Sequence, residues 1–328
     1  MPEGDTVFRT CARLHEALAG RPLLAAELRW PGLSTAALAG SVVLEVVPRG
    51  KHILLRLDSG WTLHSHLKME GQWRIERTQP VPEEFGGELA GPRAARGGGI
   101  STGSINRSNS IGRSSSIGRG SSLSRSPDVR AILVTEPWTA LGLRLGQLDL
   151  VRTSEEPTLI GHLGPDILDP AFDLGRAVAN LAASGTTIGA ALLDQRNLAG
   201  VGTMWASESL FAERLSPWAE SLTDPVLARL VERARRLMTA SLPQAIPSST
   251  GVRREGESTW VHGRSGRPCR RCGTTIRVAP IGPPTRERVL FYCPTCQGGL
   301  APTDDGRPVA PLGASTRGRT GRPGRQQF

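Results

Sequence analysis

The sequence predicts a multidomain α and β protein: a β-rich N-terminal domain entered by one helix, a helical middle domain, and a small C-terminal zinc module. Three observations predict it. Short apolar or alternating segments crowd residues 41–76 and resume at 129–151, whereas helix-spaced apolar positions take over from 173 onward. Cys269-x2-Cys272 is then followed, after twenty residues, by Cys293-x2-Cys296. At 328 residues there is length for two compact domains and an appendage.

Asp5 or Thr6 can cap a first helix whose apolar positions Val7, Cys11, Leu14 and Leu18 share one face, with Gly20 as its stop. That helix sets the mature N-terminus at its positive end. Cys11 lies on the apolar side and reads as a small buried hydrophobe. Strands are expected at 41–47, 51–57, 61–67 and 72–76, with Asp58-Ser59-Gly60 as a hairpin turn. Lys51 opens the second of these after a Pro48-Arg49-Gly50 turn, an ordinary place for a strand-end lysine. His64 and His66 share one face of the third, and with no third ligand at metal spacing they read as structural. Lys68-Met69-Glu70-Gly71 is a short turn with an apolar tip, suited either to core filling or to wedging into a base stack.

From about Gly86 the pattern collapses into Gly, Ser, Arg and Ile, with near-repeats at 110–113 and 116–119. Such a composition buries too little apolar surface to offset chain entropy, so 86–127 is expected to be a disordered insertion. Strands resume at 129–135 and 145–151, which makes 2–152 one interrupted β domain. Helices are expected at 173–183, 187–194, 204–213 and from Asp224-Pro225, within a middle domain of 153–257. Between two of them Asn197-Leu198-Ala199-Gly200-Val201-Gly202-Thr203 is a Gly-rich turn, which permits either tight helix packing or a phosphate seat at a helix N-terminus. The zinc module takes 258–300, and 301–328 is expected to be a disordered basic tail.

The formal charge of +10 resides mostly in two low-complexity stretches, 97–127 and 301–328. The remainder is only mildly basic, so motifs must carry any nucleic-acid argument. Four cysteines in paired knuckles suit a reducing compartment, and there is neither a signal peptide nor an apolar run of about 18 residues. The expectation is a cytoplasmic protein without a membrane partner. Four thiolates close a tetrahedral site with no open position, so Zn2+ at Cys269, Cys272, Cys293 and Cys296 should be structural. Arg277, Arg286 and Arg288 lie between the knuckles, where a metal-pinned hairpin could aim an arginine at phosphate, although a solvated surface charge is the commoner outcome for each.

The chain begins Met1-Pro2-Glu3-Gly4. Once Met1 is removed, an N-terminal proline offers a nucleophilic secondary amine beside a proton donor. Together with Arg49-Gly50-Lys51-His52, His66-Leu67-Lys68-Met69-Glu70-Gly71, the block from Leu192 to Gly202, and Phe291-Tyr292-Cys293, this start resembles the formamidopyrimidine-DNA glycosylase and endonuclease VIII family. The resemblance implies a β-sandwich, a helix-two-turn-helix domain and a zinc finger, and a bifunctional DNA glycosylase/AP lyase of base excision repair acting as a monomer on damaged duplex or bubble DNA.

By the same resemblance Pro2 attacks the sugar C1' and forms a Schiff base, and Glu3 protonates the sugar oxygen. Lys51 assists elimination, and Arg288, five residues before Cys293, grips phosphate. Lys68, Met69, Asn197, Gly202 and Thr203 are the further expected DNA contacts, Met69 as the wedge. The chain departs from the family pattern at Asp5-Thr6, where Pro-Glu is common, and at Thr203, where Asn is usual. Glu136-Pro137-Trp138-Thr139-Ala140 stands for the segment that carries Arg and Phe wedges in formamidopyrimidine glycosylases, which implies a preference for oxidised pyrimidines over 8-oxoguanine. Two other classes compete: a non-catalytic DNA-binding protein on this scaffold, for which Pro2, Glu3 and Lys51 would be superfluous, and a tautomerase with a proline base, which would need no zinc finger.

Overall fold

The structure, a computed structural model, describes residues 2–78, 122–254 and 256–311. Helix α1 (Gly4–Leu18) buries Val7, Cys11, Leu14 and Leu18, as their spacing dictates. Its N-cap is Glu3, not Asp5 or Thr6, and no side chain caps it. The reason is that Asp5 turns inward, where its Oδ1 accepts from Trp205 Nε1 at 3.1 Å.

Eight strands follow: β1 (Ala25–Leu28), β2 (Val43–Arg49), β3 (His52–Leu57), β4 (Trp61–His66), β5 (Gln72–Arg77), β6 (Val129–Val134), β7 (Trp138–Leu143) and β8 (Gln147–Arg152). They form two four-stranded sheets, ordered β1-β6-β7-β5 and β2-β3-β4-β8, with every pairing antiparallel. Leu28, Trp73, Ala131 and Leu133 from the first sheet meet Ile53, Leu55, Leu63 and Leu148 from the second in one core, which α1 joins through Leu14 and Leu18. This is a β-sandwich. Strands β5 and β6 both flank β7, so the chain leaves and re-enters the same sheet across residues 79–121.

Two expectations need correction here. Residues 122–127, assigned to the insertion, are ordered: Ser122–Arg125 form a 3-10 turn, and Ser126 O accepts from Arg29 Nη1 at 3.3 Å. The rest of that expected insertion, 86–121, lies outside the described residues. Trp138-Thr139-Ala140 is not a DNA-facing wedge segment but the start of β7, paired to both neighbours, with Arg77 stacked 4.1 Å over the Trp138 ring. The segment that abuts the Met69 turn is instead Arg144-Leu145-Gly146: Gly146 N–H donates to His66 O at 3.0 Å, and Arg144 pairs with Glu70 at 3.1 Å.

The middle domain comprises α2 (Pro157–Ile160), α3 (Leu174–Ala182), α4 (Ile188–Leu193), α5 (Thr203–Ala212) and α6 (Asp224–Ser241). Helix α6 buries Leu227, Leu230, Val231, Ala234 and Met238 against α3 and α5. At about 1.5–3 kcal/mol for each large apolar side chain, this stripe is the main support of the domain, and a charge at Leu230 would break it. The zinc module is a hairpin of β9 (Arg277–Ile281) and β10 (Arg288–Tyr292) over a small core of Val261, Ile276 and Phe291.

Residues 301–311, expected to begin a disordered tail, instead form a strap on this module. Asp304 pairs with Arg277 and accepts from Tyr292 Oη at 2.6 Å, while Pro311 packs onto Gly266. Arg277 is therefore a buried structural cation, which removes it from the candidate phosphate contacts. Residues 312–328 lie outside the described residues.

A seam of close backbone contacts joins sandwich and helical domain. Gly4 N–H donates to Gly200 O at 2.9 Å, and Gly50 N–H donates to Asp166 Oδ2 at 2.6 Å. A Cβ on Gly4 would sit 2.9 Å from Gly200 Cα, so only glycine lets the N-terminus and the Gly-rich turn approach this closely. The seam gathers three pieces distant in sequence: the start of α1, the β2–β3 turn, and the α4–α5 turn.

Candidate active site

Glu3 is 3 % exposed and is held by the N-terminus of α5. Its Oε1 accepts from Met204 N–H at 2.8 Å, and its Oε2 from Gly202 N–H at 2.8 Å and Trp205 N–H at 3.3 Å. Unpaired amides and the helix dipole favour a carboxylate at such a position. Burial nevertheless outweighs them and raises its pKa above the ordinary carboxylate value, with the Lys51 charge and the Met204 and Trp205 amides pulling it back. The result is a positioned carboxyl able to hold a proton.

Lys51 follows Gly50, whose φ of +60° makes the β2–β3 turn, and is 9 % exposed. Burial lowers its pKa to about 8; Glu3 opposes that shift and Arg288 adds to it. A lysine so placed is partly neutral near physiological pH and can take up a proton. Lys51 thus senses the charge of Glu3 from its own domain and of Arg288 from the four-cysteine module. Pro2, half-buried, immediately precedes this acid.

A cavity of about 380 Å³ opens against Glu3, lined also by Met204, Ile246, Ser258, Thr259 and Arg264. A larger cleft of about 1000 Å³ runs between the helical turn and the zinc hairpin, past His162, Asn197 and Arg288. On the sandwich the Lys68–Gly71 turn presents Met69, 65 % exposed, with Lys68 in the left-handed region at φ +51°. Met69 therefore fills no core.

The expected phosphate seat at Gly202 is corrected by this geometry. The Gly202 amide is committed to Glu3, and a Cβ there would lie 2.6 Å from Glu3 Oε1. The glycines of this turn serve close packing: Gly200 against Gly4 and Ile167, Gly202 against Glu3. Asn197 is half-buried and donates from Nδ2 to Ala191 O at 3.0 Å, while Thr203 is half-exposed beside Glu3 at the cavity rim. Asp5 offers no second acid to the cavity, since it is buried against Trp205 and Arg9.

Sequence reasoning missed Glu208. It is fully buried in α5, and accepts from Trp260 N–H at 2.9 Å, Val261 N–H at 2.9 Å, His262 N–H at 2.8 Å and the Ser249 hydroxyl. It fixes the segment that closes the Glu3 cavity. A lone acid in the otherwise uncharged run Trp205–Phe211, between Trp205-Ala206 and Leu210-Phe211, was the available signal, because a buried carboxylate requires several donors.

The four cysteine sulfurs lie within 4.8 Å of one another, and no disulfide joins them. A zinc tetrahedron with bonds of about 2.3 Å has edges of about 3.8 Å, and Cys272 Sγ to Cys293 Sγ is 3.4 Å, so the cluster suits a zinc finger. Among the described residues no other group of three or more side chains could hold a metal ion. No helix among them is long and apolar enough to cross a membrane.

A sandwich, a helical domain whose turn cradles Glu3, and a four-cysteine module are the parts of a formamidopyrimidine-DNA glycosylase fold. The profile of the formamidopyrimidine-DNA glycosylase N-terminal domain matches residues 1–90, and that of the formamidopyrimidine-DNA glycosylase H2TH domain matches residues 163–251. The chain is 41% identical over 310 residues to a probable endonuclease 8 2 of Streptomyces coelicolor, covering 94% of this chain and 98% of that one. It is 36% identical over 300 residues to the DNA-(apurinic or apyrimidinic site) lyase Nei2 of Mycolicibacterium smegmatis, covering 90% and 99%. The crystal structure of the MutM (Fpg) protein from Thermus thermophilus superimposes with a TM-score of 0.64 at 27% identity, covering 92% of this chain and all of that one. The chain belongs to the formamidopyrimidine-DNA glycosylase and endonuclease 8 family.

Proposed function

We propose that this protein is a bifunctional DNA glycosylase/AP lyase that uses Pro2 as nucleophile and prefers oxidised pyrimidines. The observation that carries the reading is Glu3: a buried carboxyl next to an N-terminal proline, aimed by three amides at the mouth of a cavity and facing a lysine of depressed pKa. Solved relatives include a Lactococcus lactis Fpg bound to DNA containing an abasic site, which supports damaged DNA as the partner.

Extrusion places the damaged base in the cavity beside Glu3. The Pro2 nitrogen then bonds to C1', the glycosidic bond breaks, and the base leaves with the proton that the proline nitrogen gives up. Glu3 gives its proton to the ring oxygen, so that the sugar opens as an iminium. A secondary amine reaches this cation without losing a second proton, and the cation accepts the electron pair when the C2' proton departs and the 3' phosphate leaves. Lys51, partly neutral, is placed to take that proton. Arg288 holds a phosphate from the zinc hairpin, and Lys68, Asn197 and Thr203 line the strand's path. Met69 fills the gap left by the extruded nucleotide. Zinc is the ion the four cysteines suit, with a structural role and the protein acting as a monomer.

Lesion choice follows from what surrounds Met69. Arg144 is tied to Glu70 and Asp128, and Leu145 is 3 % exposed, so only the methionine projects as an apolar wedge. Opposite-base reading is then weak, and thymine glycol or dihydrouracil should be removed faster than 8-oxoguanine paired with cytosine. Single-turnover excision on a panel of single-lesion duplexes and bubbles tests this; faster 8-oxoguanine removal than that of every oxidised pyrimidine overturns the preference.

A further inference from the structure

Four of the six histidines meet at one place, where His162 approaches the sandwich. His52 lies directly opposite His66 in the β3–β4 register, and His64 directly opposite Asp149 in the β4–β8 register. The His52 and His64 rings lie end to end, centroids 5.0 Å apart and planes 25° apart, and His52 meets His66 edge-on at 5.0 Å and His162 at 6.5 Å. The cluster adjoins Lys51 in sequence and borders the Lys68–Met69 turn.

Its hydrogen bonds fix the tautomers of His52, His64 and His66. Asp149 Oδ2 lies 2.8 Å from His64 Nδ1, and a carboxylate can only accept, so His64 carries its proton on Nδ1. The neutral ring then offers a lone pair at Nε2, 2.8 Å from His52 Nδ1, which must donate. His66 Nδ1 accepts from Lys68 N–H at 2.9 Å, so its proton sits on Nε2. Nε2 of His52 remains: it makes no hydrogen bond to the described protein and is not among the buried unpartnered atoms, so it reaches solvent. The direct bond between His52 and His64 also excludes a shared cation, since their nitrogens point at one another.

We propose that His52 takes up a proton at Nε2 when a DNA backbone phosphate docks beside Lys51, and that the Asp149–His64 pair holds and counterbalances the resulting imidazolium. The inference rests on the DNA glycosylase reading above. Uptake there breaks no existing bond: Nδ1–H still donates to His64, and the new N–H points outward to the phosphate. Without DNA the proton is refused, because burial first, and then His64, His66, His162 and Lys68, push the His52 pKa down to about 3. The groups facing the cluster are the lysines Lys51 and Lys68, the carboxylates of Asp149 and, toward His64, Glu156, and the rings of His64, His66 and His162. A phosphate inverts this balance, and charge-assisted N–H···O bonds are the strong ones. Asp149, otherwise bonded only to His64 and Gln147 Nε2 at 3.0 Å, supplies the compensating charge through the relay.

The sign follows from linkage. A site whose pKa is higher in the complex than in the free protein strengthens binding at low pH, and this gain is lost, by up to about tenfold per pH unit, as pH rises toward the complex pKa. Affinity of the full-length protein for a duplex carrying an uncleavable abasic analogue should be measured between pH 6 and 9 at fixed ionic strength. Wild type should weaken steeply with pH. His52→Gln, which keeps the bond to His64 but cannot be protonated, should lose at least half of that slope, and Asp149→Asn should move it to lower pH. His66→Gln should retain it. Lys51 contributes its own slope near pH 8 in every variant that keeps it, so the difference from wild type is the readout. A purely structural role would lower affinity equally at all pH values and overturns the proposal, as does loss of the slope in His66→Gln alone. Each preparation is also tested for nicking at a true abasic site: nicking without the His52-dependent slope refutes this inference alone, whereas failure to bind and nick refutes the reading beneath it.

Discussion

Gly202→Ala isolates the acid from the rest of the machinery. Gly202 has φ −130° and ψ −162°, a conformation alanine adopts freely, so the effect is steric only. The new methyl would lie 2.6 Å from Glu3 Oε1 and 2.8 Å from its Cγ, where carbon contacts normally begin near 3.5 Å. The carboxyl must therefore retreat by about 1 Å and surrender some of its bonds to Gly202, Met204 and Trp205. A misplacement of that size costs on the order of 100-fold in rate, and the overpacking costs about 1–3 kcal/mol of stability. The loss should fall on base excision, because a preformed abasic sugar already equilibrates with its open aldehyde and depends less on an acid at its ring oxygen. Single-turnover assays on a thymine glycol duplex and on an abasic duplex separate the two. Unchanged excision, or an equal loss on both substrates in a folded protein, would refute the assignment of Glu3 as the acid held by this helix.

Other perturbations address the remaining parts. With Lys51 held at about pKa 8 and acting in its neutral form, cleavage of a preformed abasic site should rise about tenfold per pH unit below pH 8 and level off above it, and Lys51→Arg should abolish the rise; a flat wild-type profile contradicts the role. Cys272→Ser or chelation should weaken DNA binding by at least tenfold while far-UV circular dichroism still reports the sandwich; metal analysis finding no zinc in active protein would contradict its structural role. Arg288→Ala should weaken binding and flatten its salt dependence without loss of zinc, and an unchanged salt slope would remove Arg288 from the phosphate contacts. Asp304→Ala strands Arg277, whose side chain is 9 % exposed, and should cost about 3 kcal/mol in the stability of the zinc module, as read by urea titration; a cost below 1 kcal/mol would mean that the strap is dispensable.

The parts of the fold visible in the sequence are those governed by local pattern. Apolar periodicity located α1, α3 to α6 and the strands β2 to β5, and paired knuckles located the four-cysteine cluster. Strand β1 was hidden because it is four residues long and buries only Leu28. Strand β7 was hidden because Trp138-Thr139-Ala140 was aligned with a wedge segment, when the actual neighbour of Met69 is six residues further on, a matter of sheet register. The site followed the same division. Residue types and spacing pointed to Pro2, Glu3, Lys51 and Arg288, but not to the fact that Gly202 exists to admit Glu3. Nor could sequence distance show that Asp149, His64 and His52, on three strands, form one chain. The strap at 301–311 was hidden because tertiary contacts order it: the Asp304–Arg277 pair, the Tyr292 hydroxyl on Asp304 and the buried Ala301.

The central claim is that the chain attacks DNA with its own N-terminal proline. It is tested most directly by incubating the full-length protein with abasic-site DNA in the presence of borohydride, digesting the trapped adduct, and locating the cross-linked residue by mass spectrometry. The account predicts a single adduct on Pro2 that vanishes when the N-terminus is blocked. An adduct on Lys51 or another lysine, undiminished by that block, would contradict it.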